Sequence, residues 1–302
     1  MSQSNTTLAA QPAWRATLSA YINLVKPHVT VLLLGITAAT MAIAQRGLPS
    51  LGLVAATLLG GLLAAGSANS INCYIDRDID QVMGRTQRRA LPAGRVQPTH
   101  ALIFGLTLGV LSFFELWGLV NLLSALLATG AILFYVVIYT LGLKRTTAQN
   151  IVIGGAAGAM PVLVGWAAVT NSVPLDAIWL FAIVFYWTPP HFWALSLLIQ
   201  KDYEKVNVPM LPVMMGEFET RKQILLYSVL LVAVTVILFL MGTMGYFYLA
   251  GSLILGGIMV YMAIRLMRDD ASRKWARTLF WYSNCYLALI FAVAVIDRVV
   301  HF

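Results

Sequence analysis

The sequence predicts an all-α membrane bundle of nine transmembrane helices, and three observations predict it. Of the 302 residues, 60% are hydrophobic and 11% are charged, whereas soluble domains carry about 25% charged residues. The mean hydropathy is +0.80. Nine apolar runs are each long enough for a hydrocarbon core of ~30 Å, which takes about 20 residues of helix. None alternates with the period of a strand, and only helices or closed barrels satisfy their backbone inside lipid.

The runs lie near 27–45, 51–74, 100–118, 121–142, 149–169, 175–199, 224–243, 246–265 and 278–299. The third and fourth are parted only by Gly118–Val120. Residues 1–20 are polar and rich in Ala and Thr, without the charged start and apolar stretch of a signal peptide, and read as a flexible cytoplasmic tail. Residues 21–302 form one transmembrane domain. The two loops of real length are 75–99 and 200–223.

Charge placement fixes the expected orientation. Of the 20 Lys and Arg residues, all but Arg46 and Arg298 fall on one side of this nine-span arrangement. The positive-inside rule puts that side, and the N-terminus, in the cytoplasm, and the C-terminus outside. The net charge of +8 is therefore topological and does not indicate nucleic acid. Cys73 and Cys285 form no disulfide framework or metal spacing.

Polar chemistry concentrates at the end of the second run. Asn69, Asn72, Asp76 and Asp80 recur at helical spacing and share one face. Carboxylates stacked this way repel unless a cation lies between them. Arg85, Arg88, Arg89 and Arg95 follow at once. Mg²⁺ takes one or two carboxylates plus substrate phosphates, and arginine forks bind phosphate oxygens, so the run suits a diphosphate carried by Mg²⁺ on Asn72, Asp76 and Asp80. A salt-bridged, solvated loop that only sets topology fits the same charges. Asp78 points off the common face and is read as such a loop charge.

Three other segments stand out. The 200–223 loop carries Lys201, Asp202, Tyr203, Glu204 and Lys205, then Thr220, Arg221 and Lys222. Pro189 and Pro190 are expected to break the sixth helix beside His191, which sits among Trp187, Phe192 and Trp193; His191 suits packing and the handling of a large planar ligand equally. Lys144 and Arg145 precede Asn150, a candidate cap for the fifth helix. Gly154, Gly155 and Gly158 read as close-packing residues.

Together these segments resemble the UbiA family of membrane prenyltransferases from about residue 21 to 298, and within it the branch that acts on haem. The resemblance rests on Leu24–Val25–Lys26–Pro27, on NCYIDRDID (72–80), and on MGRTQRRAL (83–91), where Ala90 replaces a common proline. It rests further on YTLGLKRTTAQNIVIGGAAGAMP (139–161), TPPHFWAL (188–195), VPMLPV (208–213) and TRKQI (220–224). Branches that prenylate quinone precursors carry a second Asp-rich motif. Here only Asp202 remains, with Glu204 nearby, which argues against that acceptor and against a second full metal site.

The resemblance implies farnesyl diphosphate and haem B as substrates, Mg²⁺ as cofactor, and haem O and diphosphate as products, in the inner membrane of a bacterium. Asn72, Asp76, Asp80, Arg85 and Arg89 are then the catalytic candidates. Lys26, Asn69, Lys144, Arg145, Asn150, His191, Asp202, Tyr203, Arg221 and Lys222 are the substrate-binding ones, with His191 positioning haem. The lipid bilayer, haem A synthase and cytochrome oxidase assembly factors are the implied partners. A phosphatidyl-type transferase would need an Asp-Gly-x2-Ala-Arg element that the chain lacks. A cation-coupled transporter would place its acids near the bilayer midplane rather than at one edge.

Overall fold

The structure is a computed structural model that describes residues 13–268 and 273–300. Long apolar runs become helices because lipid offers the backbone no other hydrogen-bond partners. In chain order the elements are α1 (Ala13–Val25), α2 (Pro27–Gln45), α3 (Leu51–Ile75), α4 (Arg77–Val82), α5 (Pro98–Leu119), α6 (Leu122–Leu133), a π-helical segment (Phe134–Leu143), α7 (Asn150–Thr170), α8 (Leu175–Leu198), α9 (Gln200–Lys205), α10 (Leu211–Met214), α11 (Gly216–Leu240), α12 (Tyr246–Met267) and α13 (Lys274–Val300). Among the described residues nine spans are long and apolar enough to cross a membrane, with α6 and the π segment forming one of them. The chain is a polytopic membrane protein.

Four expectations need correction. Residues 13–20 are not tail but part of α1, whose Ala20 and Leu24 pack inward while Trp14, Leu18 and Ile22 remain exposed; residues 1–12 lie outside the described residues. The seventh span starts at Gly216, eight residues before its apolar run, so Thr220, Arg221 and Lys222 are helical. Acid–base pairs of near-helical spacing, Glu217–Arg221 at 3.0 Å and Glu219–Lys222 at 3.4 Å, carry that helix beyond the apolar segment. Pro189 and Pro190 do not break α8, which runs unbroken for 24 residues. They remove the N–H groups that would reach Phe185 and Tyr186, but α8 is clasped by α7, α11 and α13, and packing outweighs two lost bonds. Finally, Asn150 is the first residue of α7 and not its cap; Gln149 holds the N-cap position without a side-chain capping bond.

Two packing units carry the site. α3 lies tightly on α5, where a Cβ on Gly105 would meet Ile71 at 2.7 Å and one on Gly109 would meet Ser67 at 2.8 Å. The larger core joins α2, α7, α8, α11, α12 and α13 around Ile36, Trp166, Leu180, Trp193, Leu231 and Tyr286. The far end is tied by Asp297, which accepts from the N–H groups of Gly245 and Tyr248 at 2.6 and 2.9 Å and so caps α12.

Candidate active site

The acidic run keeps its spacing although α3 ends at Ile75. Asp76 bends the chain into α4 (φ −84, ψ 6), yet its N–H still donates to Asn72 O and the Asp80 N–H to Asp76 O, both at 2.9 Å. Asn72, Asp76 and Asp80 are all buried, at 4%, 1% and 3% exposure. Buried carboxylates need cations or donors, and three segments bring cations to this run.

Lys26 joins α1 to α2 in a left-handed conformation (φ 52) with Pro27 behind it, a strained turn for a residue with a side chain. The turn brings Lys26 Nζ to Asn72 Oδ1 at 3.1 Å. Burial, together with the nearby Arg89 and Lys144, holds its amine below the ordinary lysine range. Asn69 secures this turn from below: its amide donates to Val25 O at 3.0 Å. Asn69 therefore contacts α1, not the acidic cluster.

The π-helical segment presents the next two groups. Its i→i+5 pattern ends with Lys144 N donating to Tyr139 O at 2.8 Å, and such wide turns recur at functional sites. Thr140 Oγ1 lies 3.3 Å from Asn72 Nδ2. Lys144 Nζ binds Asp76 Oδ2 directly, while Asn72 Nδ2 donates to that same oxygen at 2.6 Å. Arg145 grips Asp78 with two bonds of 2.7 Å and stands 3.7 Å from Asp76 Oδ1. The Arg145 hydrogen bond lowers the Asp78 carboxyl to about 2. A cavity of about 350 Å³ opens here between Ile75, Arg77, Asp78, Thr140, Leu141 and Arg145.

Asp80 is held by Arg89 at 2.8 and 3.0 Å. Arg85 is exposed, and its N–H donates to Asp202 at 3.4 Å, docking α9 onto the 83–86 turn. Tyr203 lies within hydrogen-bonding reach of Arg85, and burial pushes its hydroxyl above the ordinary range. Asn150 is fully buried and donates to Lys144 O and Pro209 O, both at 3.4 Å, tying two loops together.

Besides Asn69, three predicted residues stand apart from this cluster. Arg221 and Lys222 pair with Glu217 and Glu219 on their own helix. His191 has no contact with the acids; it stacks between Trp187 at 4.3 Å and Phe280 at 4.8 Å, with Nδ1 2.7 Å from Ser283 Oγ. Thr140 and Ser283 are the participants that sequence reasoning missed. No group of three or more His, Cys, Asp or Glu side chains gathers among the described residues. Asp76 Oδ1 is nevertheless buried without a hydrogen-bond partner, an acceptor that fits a metal ion.

The UbiA prenyltransferase family profile covers residues 32–284. This chain belongs to the UbiA prenyltransferase family. Among relatives, a protoheme IX farnesyltransferase of Gloeobacter violaceus is 53% identical over 95% of this chain and 94% of its own length. Another protoheme IX farnesyltransferase, of Chloroflexus aurantiacus, is 52% identical over 96% of this chain, which spans 49% of that longer protein. The solved structure of a UbiA homolog from Archaeoglobus fulgidus bound to DMAPP and Mg²⁺ shares the fold, with a TM-score of 0.66 and 16% identity over 91% of this chain and 99% of that one.

Proposed function

We propose that this chain transfers the farnesyl group of farnesyl diphosphate to the 2-vinyl group of haem B, with addition of water, giving haem O and diphosphate. The observation that carries this reading is the ring of Lys26, Arg89, Lys144 and Arg145 around Asn72, Asp76 and Asp80. The names of relatives at about half identity support the acceptor.

Ionisation breaks the bond between the farnesyl carbon and the diphosphate oxygen, leaving a carbocation and a highly charged leaving group. Fixed donors aimed at that developing charge, in a site poor in water, are commonly the largest catalytic contribution. Lys144 and Arg145 are placed to accept it, with Lys26 and Arg89 behind them. Asp76, through the Oδ1 that accepts no hydrogen bond, and Asp80 would hold Mg²⁺, the ion that the Archaeoglobus protein binds. When bound, Mg²⁺ supplies charge to the departing diphosphate. Asn72 orients Asp76 and accepts from Lys26, and Asn150 steadies the backbone of Lys144.

The farnesyl tail has an apolar path: a groove of about 450 Å³ between α3, α5 and α6 begins at Ile71, next to Asn72. The vinyl group adds to the carbocation, water adds to the resulting cation on the porphyrin side chain, and a proton leaves. The charge asymmetry supports a site on the cytoplasmic side of the membrane, which we take to be a bacterial inner membrane. Expression with farnesyl diphosphate, followed by haem extraction and mass analysis, tests the reading. A haem heavier by one hydroxyfarnesyl addition is expected; unmodified haem B alone would overturn it.

A further inference from the structure

His191 is fixed more tightly than a packing residue requires. Trp187 and Phe280 stack on the ring at interplanar angles of 17° and 25°, covering both faces, and Phe192 meets it at right angles. Ser283, on α13, organises the group. Its carbonyl accepts from Trp187 Nε1 at 2.6 Å, and its hydroxyl lies 2.7 Å from His191 Nδ1. The same hydroxyl donates to Phe280 O at 2.7 Å.

A serine hydroxyl has one proton, and a neutral imidazole has one N–H. With the Ser283 proton on Phe280 O, the bond to His191 requires the proton to be on Nδ1. Nε2 then carries a lone pair, and it makes no hydrogen bond among the described residues. With both faces covered, a ligand reaches this ring only in its plane, along that lone pair. This is how imidazole binds a metal, and a second bond at the far nitrogen is what sets the tautomer of a metal-binding histidine.

We infer that Ser283 is a positioning residue that locks His191 in the Nδ1-protonated form, so that Nε2 serves as an axial ligand to the iron of the haem substrate. This rests on the reading that haem is the acceptor. A single neutral histidine is an ordinary haem ligand.

The test is a titration of the full chain in detergent micelles with ferric protohaem, followed by resonance Raman spectra of the reduced complex. The wild type is expected to show an iron–imidazole band, and His191→Gly to lose it until free imidazole is added. Ser283→Ala should shift the band and weaken protohaem binding by about tenfold, the usual cost of losing such an outer partner. Ser283→Thr, which keeps the hydroxyl, should restore both. The inference is overturned by a wild type without the band, or by Ser283→Ala with unchanged band and affinity; the wild-type and His191→Gly spectra decide it even where Ser283→Ala does not fold. Haem O formation without the band would sink this inference alone, whereas the band without haem O would sink only the proposed reaction.

Discussion

Asp76 is the residue on which the other side chains converge. Asn72, Lys144 and Arg145 all approach its carboxylate, which is 1% exposed. Asp76→Asn keeps the shape and removes one charge, leaving Lys144 and Arg145 as cations without their acid. Turnover should fall at least about 100-fold, the scale of losing one fixed electrostatic group, while the protein still accumulates in membranes. Haem O per unit of purified protein measures it, and wild-type turnover would remove Asp76 from the site. Asp78 behaves differently because it is 59% exposed. Its folded value, about 2, lies below the ordinary 3.8, so its pairing with Arg145 contributes fully above about 3.8 and is lost as pH falls through about 2. Exposure limits the contribution to about 1 kcal/mol at most. Acid melting curves of Asp78→Asn should therefore differ from wild type only slightly, and the difference should fade as pH falls from 3.8 to about 2. Asn72, Asp76 and Asp80 were legible in the sequence because polar groups at helical spacing are conspicuous in an apolar chain. Thr140 and Ser283 were not. Hydroxyls in membrane helices commonly bond their own backbone, as Thr37, Thr40 and Thr57 do, and nothing in the sequence marks the two that also reach across.

Among the elements, the π-helical segment decides the most. Its wide turns set the register that aims Thr140 at Asn72 and Lys144 at Asp76. α7 buttresses it: a Cβ on Gly154 would run into the Tyr139 ring, while one on Gly158 would meet nothing within 4 Å. Gly154→Ala should cost about 1–3 kcal/mol by overpacking and disturb the Lys144 register, lowering both melting temperature and turnover. Gly158→Ala should leave both near wild type. Equal effects would show that Gly154 is not a register contact. The three glycines read alike in the sequence; only their neighbours separate them, with Gly155 facing Thr188 at 3.0 Å. The spans were legible to within a few residues wherever hydropathy alone set the boundary. The start of α11 was not, because its charged first turns are held by acid–base pairs that hydropathy reads as loop. The same holds for α8, where the two prolines signal a break that packing overrides.

At the scale of the whole molecule, two loops 117 residues apart meet where Arg85 N–H donates to Asp202, and with Lys26 and the segment holding Lys144 they gather at one edge of the bundle. The sequence showed the charge asymmetry but not this docking, because loop contacts follow no periodicity. The arrangement has a thermodynamic consequence. Asp76 and Asp80 are already neutralised by Lys144 and Arg89. A diphosphate competes for those cations, and drawing them away leaves two buried carboxylates without partners, which is costly. A divalent cation bound to the same carboxylates removes that cost. Metal and diphosphate should therefore bind together, each strengthening the other by the same factor. A non-ionising farnesyl thiodiphosphate should bind at least about tenfold more weakly in EDTA than in Mg²⁺, within the usual range of coupling between sites, and turnover should vanish in EDTA and return when Mg²⁺ is added. In Asp76→Asn the gap between the two affinities should shrink, since Lys144 is then free for phosphate with or without metal. Calorimetry of the purified chain measures all four affinities. Equal binding with and without metal in the wild type would mean that the cations alone hold the diphosphate, and that Asp76 and Asp80 serve only to position Lys144 and Arg89.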